Sequence, residues 1–383
     1  MIERQEKISI PVSGLIGYAA PKERLLFFDI ETTGLRAGSS SLYLIGLLSY
    51  EEDSWQITQY FSENLLEEKE LLLRFSEAVD RKRKYGHPVL ITYNGDGFDI
   101  GYLKETAREY HLPSPFRDTL SFDLFKEIKP FKKLTGLPNL KLKTVEKLLG
   151  IDREDRYSGG ELIAVYEEYL RLSGILPGGS EDTEGNRALR EKCLSCLLLH
   201  NREDIENLPA LMDLLSYRML SEGRMTRREA LVSEAPGKPE EKILDIRYTL
   251  EAPLPKEFSY EDENFVISVS GKDRFLFEAV IRLCEGELRY YYQDYKNYYY
   301  LPAEDMAIHK SLGEFVDRKN RKQATASTCY GKKNGLFIPE PSPVLTPVFY
   351  KSYKGMRYGE VTEAFLSDEK KMAEFLLALL DNV

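Results

Sequence analysis

Along the first half of the chain, short runs of apolar residues alternate with longer stretches in which apolar positions recur every three or four residues. The runs at 25–30, 43–50, 55–61 and 89–93 read as buried strands, and the periodic stretches at 67–85, 100–111, 140–149, 160–173 and 189–215 read as helices facing a core. Strands interleaved with helices predict an α/β domain whose mixed sheet is flanked by helices. After residue 240 the texture changes. The runs at 265–269, 275–283, 288–292 and 298–301 are rich in β-branched and aromatic residues with short turns between them, and one helix is expected at 368–380 with Ser367 as its N-cap. This half predicts a smaller α+β domain.

Between the halves, 221–242 concentrates charge, Pro236, Gly237 and Pro239 with little apolar periodicity, which predicts a linker. The expected organisation is therefore a domain over 1–220 with its core at about 20–220, a linker over 221–242 and a second domain over 243–383. A second polar stretch, 177–186, has no apolar residue and predicts an exposed loop.

Composition narrows the class without deciding it. With 383 residues, 42% of them hydrophobic, and a mean hydropathy of -0.40, the chain can bury a sizeable core. Its longest apolar run, 42–48, is far short of the ~20 residues a spanning helix needs. A net charge of -10 excludes a uniformly basic nucleic-acid coat but leaves room for local basic patches. The first ten residues carry both charge signs and no apolar core, and the four cysteines form no disulfide framework; both features predict a cytoplasmic protein.

Three segments carry candidate chemistry. LLFFDIETTGL at 25–35 ends an apolar strand with Asp29 and Glu31, which alternation places on one face. Two adjacent carboxylates repel each other unless a cation neutralises them, and oxygen ligands suit Mg²⁺ or Mn²⁺; a solvated strand end is the alternative reading. VLITYNGDGFD at 89–99 is a second strand followed by a turn and a third carboxylate, Asp99, at a helix start, a position that the helix dipole alone also favours. HNREDIENL at 200–208 places His200 and Asp204 four apart on one helix face, which suits either a surface pair or a site.

Together these segments resemble the DEDD superfamily of 3′-5′ exonucleases, in D-x-E-T-T-G-L at 29–35, in Y-N-G followed by F-D at 93–99, and in the final Asp204. The stretch LKLKTVEKLLGIDREDRYSGGELIAVYEEYL at 140–170 is similar to the connector of YprB-type ribonuclease-H-like domains. The resemblance covers about residues 20–220 and implies a ribonuclease-H-like fold and hydrolysis of phosphodiester bonds in DNA or RNA. It also implies two divalent ions, Mg²⁺ or Mn²⁺, with Asp29 bridging, Glu31 and Asp204 on one ion, and Asp99 on the other. By the same resemblance Thr32, Thr33, Gly34, Leu35, Asn94 and Phe98 contact the substrate, a nucleic acid with a single-stranded 3′ end, with packing as the equal alternative for Leu35 and Phe98. His200 would act as general base. Here the sequence departs from the family: His200 stands four residues before Asp204, the spacing of the tyrosine subgroup, whereas the histidine subgroup has five. The rival classes are an endonuclease using the same ions and an inactive scaffold that binds nucleic acid. Retention of all four carboxylates favours an enzyme.

Other features fit less specific roles. Cys193 and Cys196 form a C-x-x-C with no second pair, which reads as core rather than zinc. His87, His111 and His309 have no ligand-like neighbours in sequence. Seven of the eleven residues 290–300 are tyrosine, which predicts a hairpin turning at 294–297, and 306–358 holds ten Lys or Arg against three acidic residues. Aromatic and basic groups in that combination suit nucleic-acid binding, with packing or a protein contact as the alternative.

Overall fold

A computed structural model of the protein describes residues 1–177 and 183–382. The chain divides into two compact units, Met1–Arg218 and a second from Met219 onward.

The first unit is built on a six-stranded sheet of order β1-β4-β3-β2-β5-β6. Its strands are β1 (Ile2–Ile8), β2 (Leu25–Thr32), β3 (Leu42–Glu51), β4 (Ser54–Phe61), β5 (Val89–Thr92) and β6 (Leu120–Asp123). β1 to β4 pair antiparallel, and β2, β5 and β6 run parallel. Parallel neighbours need crossovers, and helices supply them: α1 (Glu68–Arg83) joins β4 to β5, and α2 (Asp99–Glu109) joins β5 to β6. Short helices α3 (Leu124–Ile128), α4 (Lys132–Thr135) and α5 (Leu142–Leu148) lead to α6 (Gly159–Leu172) and α7 (Glu184–Glu206). α8 (Leu208–Leu211) and α9 (Leu215–Ser221) follow.

Alternation along β2 sorts its side chains between two cores. Leu26, Phe28 and Ile30 pack with Leu71, Leu72 and Phe75 of α1 and with Leu103 of α2. A separate cluster joins Tyr43 and Phe61 of the sheet to Tyr166 of α6 and to Leu194 and Leu197 of α7. α7 also crosses the sheet through polar contacts: Gln59 Nε2 donates to the Leu198 carbonyl at 2.8 Å and to Asn201 Oδ1 at 2.9 Å. Asp29 and Glu31 share the register of the odd positions of β2, opposite the residues that face α1.

Gly46, paired with Asp29 across β2 and β3, is what lets α7 approach this closely. A Cβ there would stand 2.1 Å from Asn201 Oδ1 and 2.8 Å from Ile205 Cδ1. Asn201 is fully buried and hydrogen-bonded on both ends of its amide, so it has nowhere to turn. Gly46→Ala is therefore expected to cost about 1–3 kcal/mol, the range for overpacking a filled core. Thermal unfolding should fall by several degrees, roughly 2–4 °C for each kcal/mol in a unit of this size. An unchanged melting temperature would mean that α7 does not press on β3.

The second unit is mostly strands, with short helices α10 (Lys310–Gly313) and α11 (Glu363–Ser367) and the longer α12 (Glu369–Leu380). A five-stranded sheet has the order β7-β8-β11-β10-β9, using β7 (Met225–Ala235), β8 (Lys238–Leu250), β9 (Phe258–Glu261), β10 (Phe265–Val269) and β11 (Leu276–Arg282). A closed barrel joins β12 (Cys284–Tyr291), β16 (Tyr330–Glu340), β18 (Arg357–Glu360) and β17 (Phe349–Tyr350). Three short strands, β14 (Met306–His309), β13 (Tyr298–Leu301) and β15 (Lys322–Gln323), complete it.

Several expectations need correction. The segment 221–242 is not a linker: it ends α9 and supplies β7 and the start of β8, paired antiparallel. No residue of β7 is fully buried and its half-buried positions include Arg227 and Ser233, so no clear apolar alternation marks it, and Gly237, with φ of +76°, is its turn. The tyrosine segment is not a hairpin either, because β12 pairs with β16 and β17, whereas β13 pairs with β14 and β15. Part of the loop expected at 177–186, residues 178–182, lies outside the described residues. α7 already begins at Glu184, with Thr183 accepting from the Asn186 N–H. The cap of α12 is Asp368, one residue beyond the expected Ser367. Among the described residues no helix is long and apolar enough to cross a membrane. All four cysteines are free, and Cys193 is buried in the core with Cys196 packed against it.

Candidate metal centre

Three elements bring the predicted carboxylates together. β2 carries Asp29 and Glu31, α2 begins at Asp99, and α7 carries His200 and Asp204. Asp99 is buried and its Oδ1 accepts from the Ile30 N–H at 3.2 Å, which ties the start of α2 to the middle of β2. His200 Nε2 lies 3.5 Å from Glu31 Oε1 and 3.4 Å from Asp204 Oδ2. One ligand atom from each of Glu31, His200 and Asp204 falls within 4.8 Å of the others, a spacing a single ion could span. Asp29 is held from α7, where Asn201 Nδ2 donates to its Oδ2 at 3.2 Å.

Crowding of like charge leaves an electrostatic signature. Loss of hydration, followed by repulsion from Asp99, Asp204 and Glu31, pushes the Asp29 carboxyl well above its usual range. Glu31 is raised in the same way by burial and by repulsion from Asp204 and Asp99. Asp99 is pushed up to about 7, chiefly by burial, although two backbone N–H groups pull against the shift. Carboxylates this costly to ionise together fit a cation-binding role, and carboxylate oxygens suit hard divalent cations.

The sign of the stability effect follows from these directions. Since Asp29, Glu31 and Asp99 have folded-state pKa values above their unfolded values of roughly 4, the folded state holds protons that the unfolded chain has released. Their favourable contribution is complete below pH ~4 and fades as pH rises; for Asp99 it is lost by about pH 7. A divalent cation bound there would replace those protons. Added Mn²⁺ or Mg²⁺ should therefore raise the melting temperature little at pH 5 and markedly at pH 8. An increment that does not grow with pH would contradict a metal role for this cluster.

A shell of residues that the sequence does not single out supports the centre. His200 Nδ1 lies 2.7 Å from Asp155 Oδ2. Asp155 is itself buried and bonded to Lys143 Nζ at 2.6 Å and to the Tyr157 N–H at 3.0 Å. Burial alone would raise its pKa, but Lys143, the Tyr157 N–H and His200 outweigh it and hold the carboxyl below its usual value. Glu203, beside Asp204 in sequence, turns away and accepts from the N–H groups of Glu154 and Asp155 at 2.9 and 3.0 Å, fixing that loop to α7. Arg153 then reaches back, hydrogen-bonded to Asp204 Oδ1 and forked onto Glu146 at 2.6 Å through both Nε and Nη2. One oxygen of Asp204 is thus occupied by a guanidinium while the other faces His200.

The expected substrate-contacting residues are partly structural. Thr32 Oγ1 donates to the Gly34 carbonyl at 2.7 Å, and Thr33 pairs with Ser41 through backbone and side chain. Leu35 is 85% exposed, so packing does not explain it. Phe98 is half-buried and tilts against Tyr102, with ring centroids 5.7 Å apart. Asn94 is exposed with φ of +67°, and its N–H donates to Asp123 Oδ1 at 2.7 Å, so its visible work is forming the turn before α2. His87 Nδ1 lies 3.0 Å from the Asp118 carbonyl, His309 Nδ1 lies 2.7 Å from Ser311 Oγ at the start of α10, and His111 sits in a left-handed turn.

In the second unit the tyrosines divide between packing and surface. Tyr290 packs against Phe349 in the barrel, whereas the Tyr299 ring lies beneath Arg321 at 4.5 Å and Lys310 at 5.4 Å. Phe315, 89% exposed, follows α10.

The chain is similar to several known proteins over part of its length. The chain is 28% identical over 205 residues to a DNA polymerase of Desulfurococcus sp. (strain Tok), covering 46% of this chain and 26% of that protein. It is 28% identical over 213 residues to the uncharacterized protein YprB of Bacillus subtilis (strain 168), covering 55% of this chain and 46% of the relative. The matches thus span less than half the length of these curated relatives. Among solved structures, E. coli exonuclease I in complex with a dT13 oligonucleotide aligns at 14% identity and a TM-score of 0.26, covering 64% of this chain and 54% of that one. Residues 26–216 match the RNase_H_2 family, and with the mixed sheet and flanking helices described above they make this part of the chain a member of the RNase_H superfamily.

Proposed function

We propose that the protein is a metal-dependent nuclease that removes nucleotides from the 3′ end of single-stranded DNA or RNA. The observation that carries the reading is the convergence of Asp29, Glu31, Asp99 and Asp204 from three elements into one cluster, in which burial first and repulsion from neighbouring carboxylates second raise Asp29 and Glu31 well above their usual range. A structural scaffold gains nothing from that arrangement, whereas a phosphodiesterase needs it. Divalent cations held by these carboxylates would neutralise charge on the phosphate and ease both proton loss from water and departure of the 3′-oxygen.

The chain's own residues supply binding and orientation. Asp29 is oriented by Asn201, Asp204 by Arg153, and Asp99 by the Ile30 N–H. Leu35, exposed beyond the end of β2, is free to lie against the terminal base, and Thr33, held to Ser41, fixes the turn that presents it. Within the second unit, the half-buried Arg321 and Lys310 against the Tyr299 ring and the exposed Phe315 suit contacts with nucleic-acid backbone and bases. The need for a free end is tested by comparing linear and covalently closed circular single strands of one sequence. Degradation of the linear strand alone supports the reading, and cutting of the circle would make the protein an endonuclease.

A further inference from the structure

The imidazole of His200 is bound at one nitrogen and aimed at the acidic cluster with the other. Its side chain is only 6% exposed, and Nδ1 lies 2.7 Å from Asp155 Oδ2. Lys143 and the Tyr157 N–H both donate to Asp155, so that carboxylate is set to accept the Nδ1 proton. Nε2 is then the nitrogen left to face the acidic cluster, with Glu31 Oε1 at 3.5 Å and Asp204 Oδ2 at 3.4 Å.

One ligand atom from each of Glu31, His200 and Asp204 lies within 4.8 Å of the others. Their spacing suits an ion. Two ligands each about 2.1 Å from one ion stand roughly 3.0–3.4 Å apart, close to the separations seen. A carboxylate behind the imidazole is also the usual device for fixing the tautomer of a metal-bound histidine and raising its basicity.

We infer that His200 is a metal ligand through Nε2, so that Glu31, His200 and Asp204 form a mixed nitrogen and oxygen site that takes Mn²⁺ in preference to Mg²⁺. The inference rests on the reading of this cluster as a nuclease centre and departs from the general-base role that sequence resemblance implies for His200. Mn²⁺ accepts imidazole beside carboxylates, whereas Mg²⁺ keeps closely to oxygen and water. Asp155 is then a positioning residue, acting on the ion through the imidazole.

Pulsed electron paramagnetic resonance on the full chain with one equivalent of Mn²⁺ reads nitrogen coordination directly. Wild type should show the ¹⁴N modulation of a bound imidazole, and His200→Gln should lose it. Titration should show Mn²⁺ affinity weakened about 10- to 100-fold in His200→Gln and by about tenfold in Asp155→Asn, which leaves the ligand but frees its orientation. Mg²⁺ affinity, measured by competition, should change by less than Mn²⁺ affinity in both variants. Absence of ¹⁴N modulation in wild type, or its persistence in a folded His200→Gln protein, overturns the assignment. Nuclease failure is distinguishable: a nitrogen-ligated Mn²⁺ signal with no cleavage of oligonucleotides leaves the ligand in place and removes the proposed function.

Discussion

Asp29→Asn and Asp204→Asn should each reduce hydrolysis by at least about 10³-fold, equivalent to ~4 kcal/mol of lost transition-state stabilisation, while leaving the fold intact. Each substitution removes a negative charge from a cluster that already suffers from too many, and each keeps the shape of the side chain. For Asp29 the consequence is sharpest, since burial and repulsion from three other carboxylates act on it together. The metal-free Asp29→Asn protein should therefore melt no lower than wild type, and it should lose most of the stabilisation that Mn²⁺ gives at pH 8. Loss of activity through unfolding would show instead as a lower melting temperature without metal. Wild-type rates in both variants would remove these carboxylates from the chemistry.

The second large effect lies in a residue outside the motifs. Arg153 is 5% exposed and Glu146 is 1% exposed, and they make a forked pair inside the unit, with Asp204 on the same guanidinium. Burial opposes the charge of Glu146, and Arg153 is its main compensation. Arg153→Met strands two acidic groups, and breaking a buried pair from one side costs about 3–5 kcal/mol. Neutralising the stranded partner should recover much of this, so the double variant Arg153→Met with Glu146→Leu should be more stable than Arg153→Met alone. Denaturant titration of the four proteins of the cycle measures both effects. If the single variant unfolds at the wild-type midpoint, the guanidinium does not hold this part of the site.

What the sequence could and could not show follows the same physics. β3 and β5 are legible as near-continuous apolar runs buried on both faces, β2 as an apolar run interrupted by Asp29 and Glu31, and β4 by its Trp55, Ile57, Tyr60 and Phe61 among polar residues. β1, with five exposed residues between Ile2 and Ile8, has no such run, and its pairing with β4 is set by the register of the neighbouring strand. β7 is hidden for the same reason, and its charge and the Pro-Gly turn imitate a linker.

The site divides along a similar line. Asp29, Glu31, Asp99 and Asp204 stand in motifs whose spacing survives in sequence. Arg153, Asp155 and Glu203 do not, because DREDR at 152–156 looks like a solvated charge run until α7 folds over it. Asn201 and Gly46 depend wholly on that crossing, and nothing in their local sequence marks a helix packed against a glycine.

The most direct test of the central claim is digestion of a 5′-labelled single-stranded oligonucleotide, in DNA and RNA forms, by the full chain with Mn²⁺ or Mg²⁺ and with a chelator. The account predicts a ladder of shortening 5′-labelled products that requires the metal and vanishes in Asp204→Asn. Intact oligonucleotides with either metal, or a ladder that persists in the chelator or in Asp204→Asn, would contradict it.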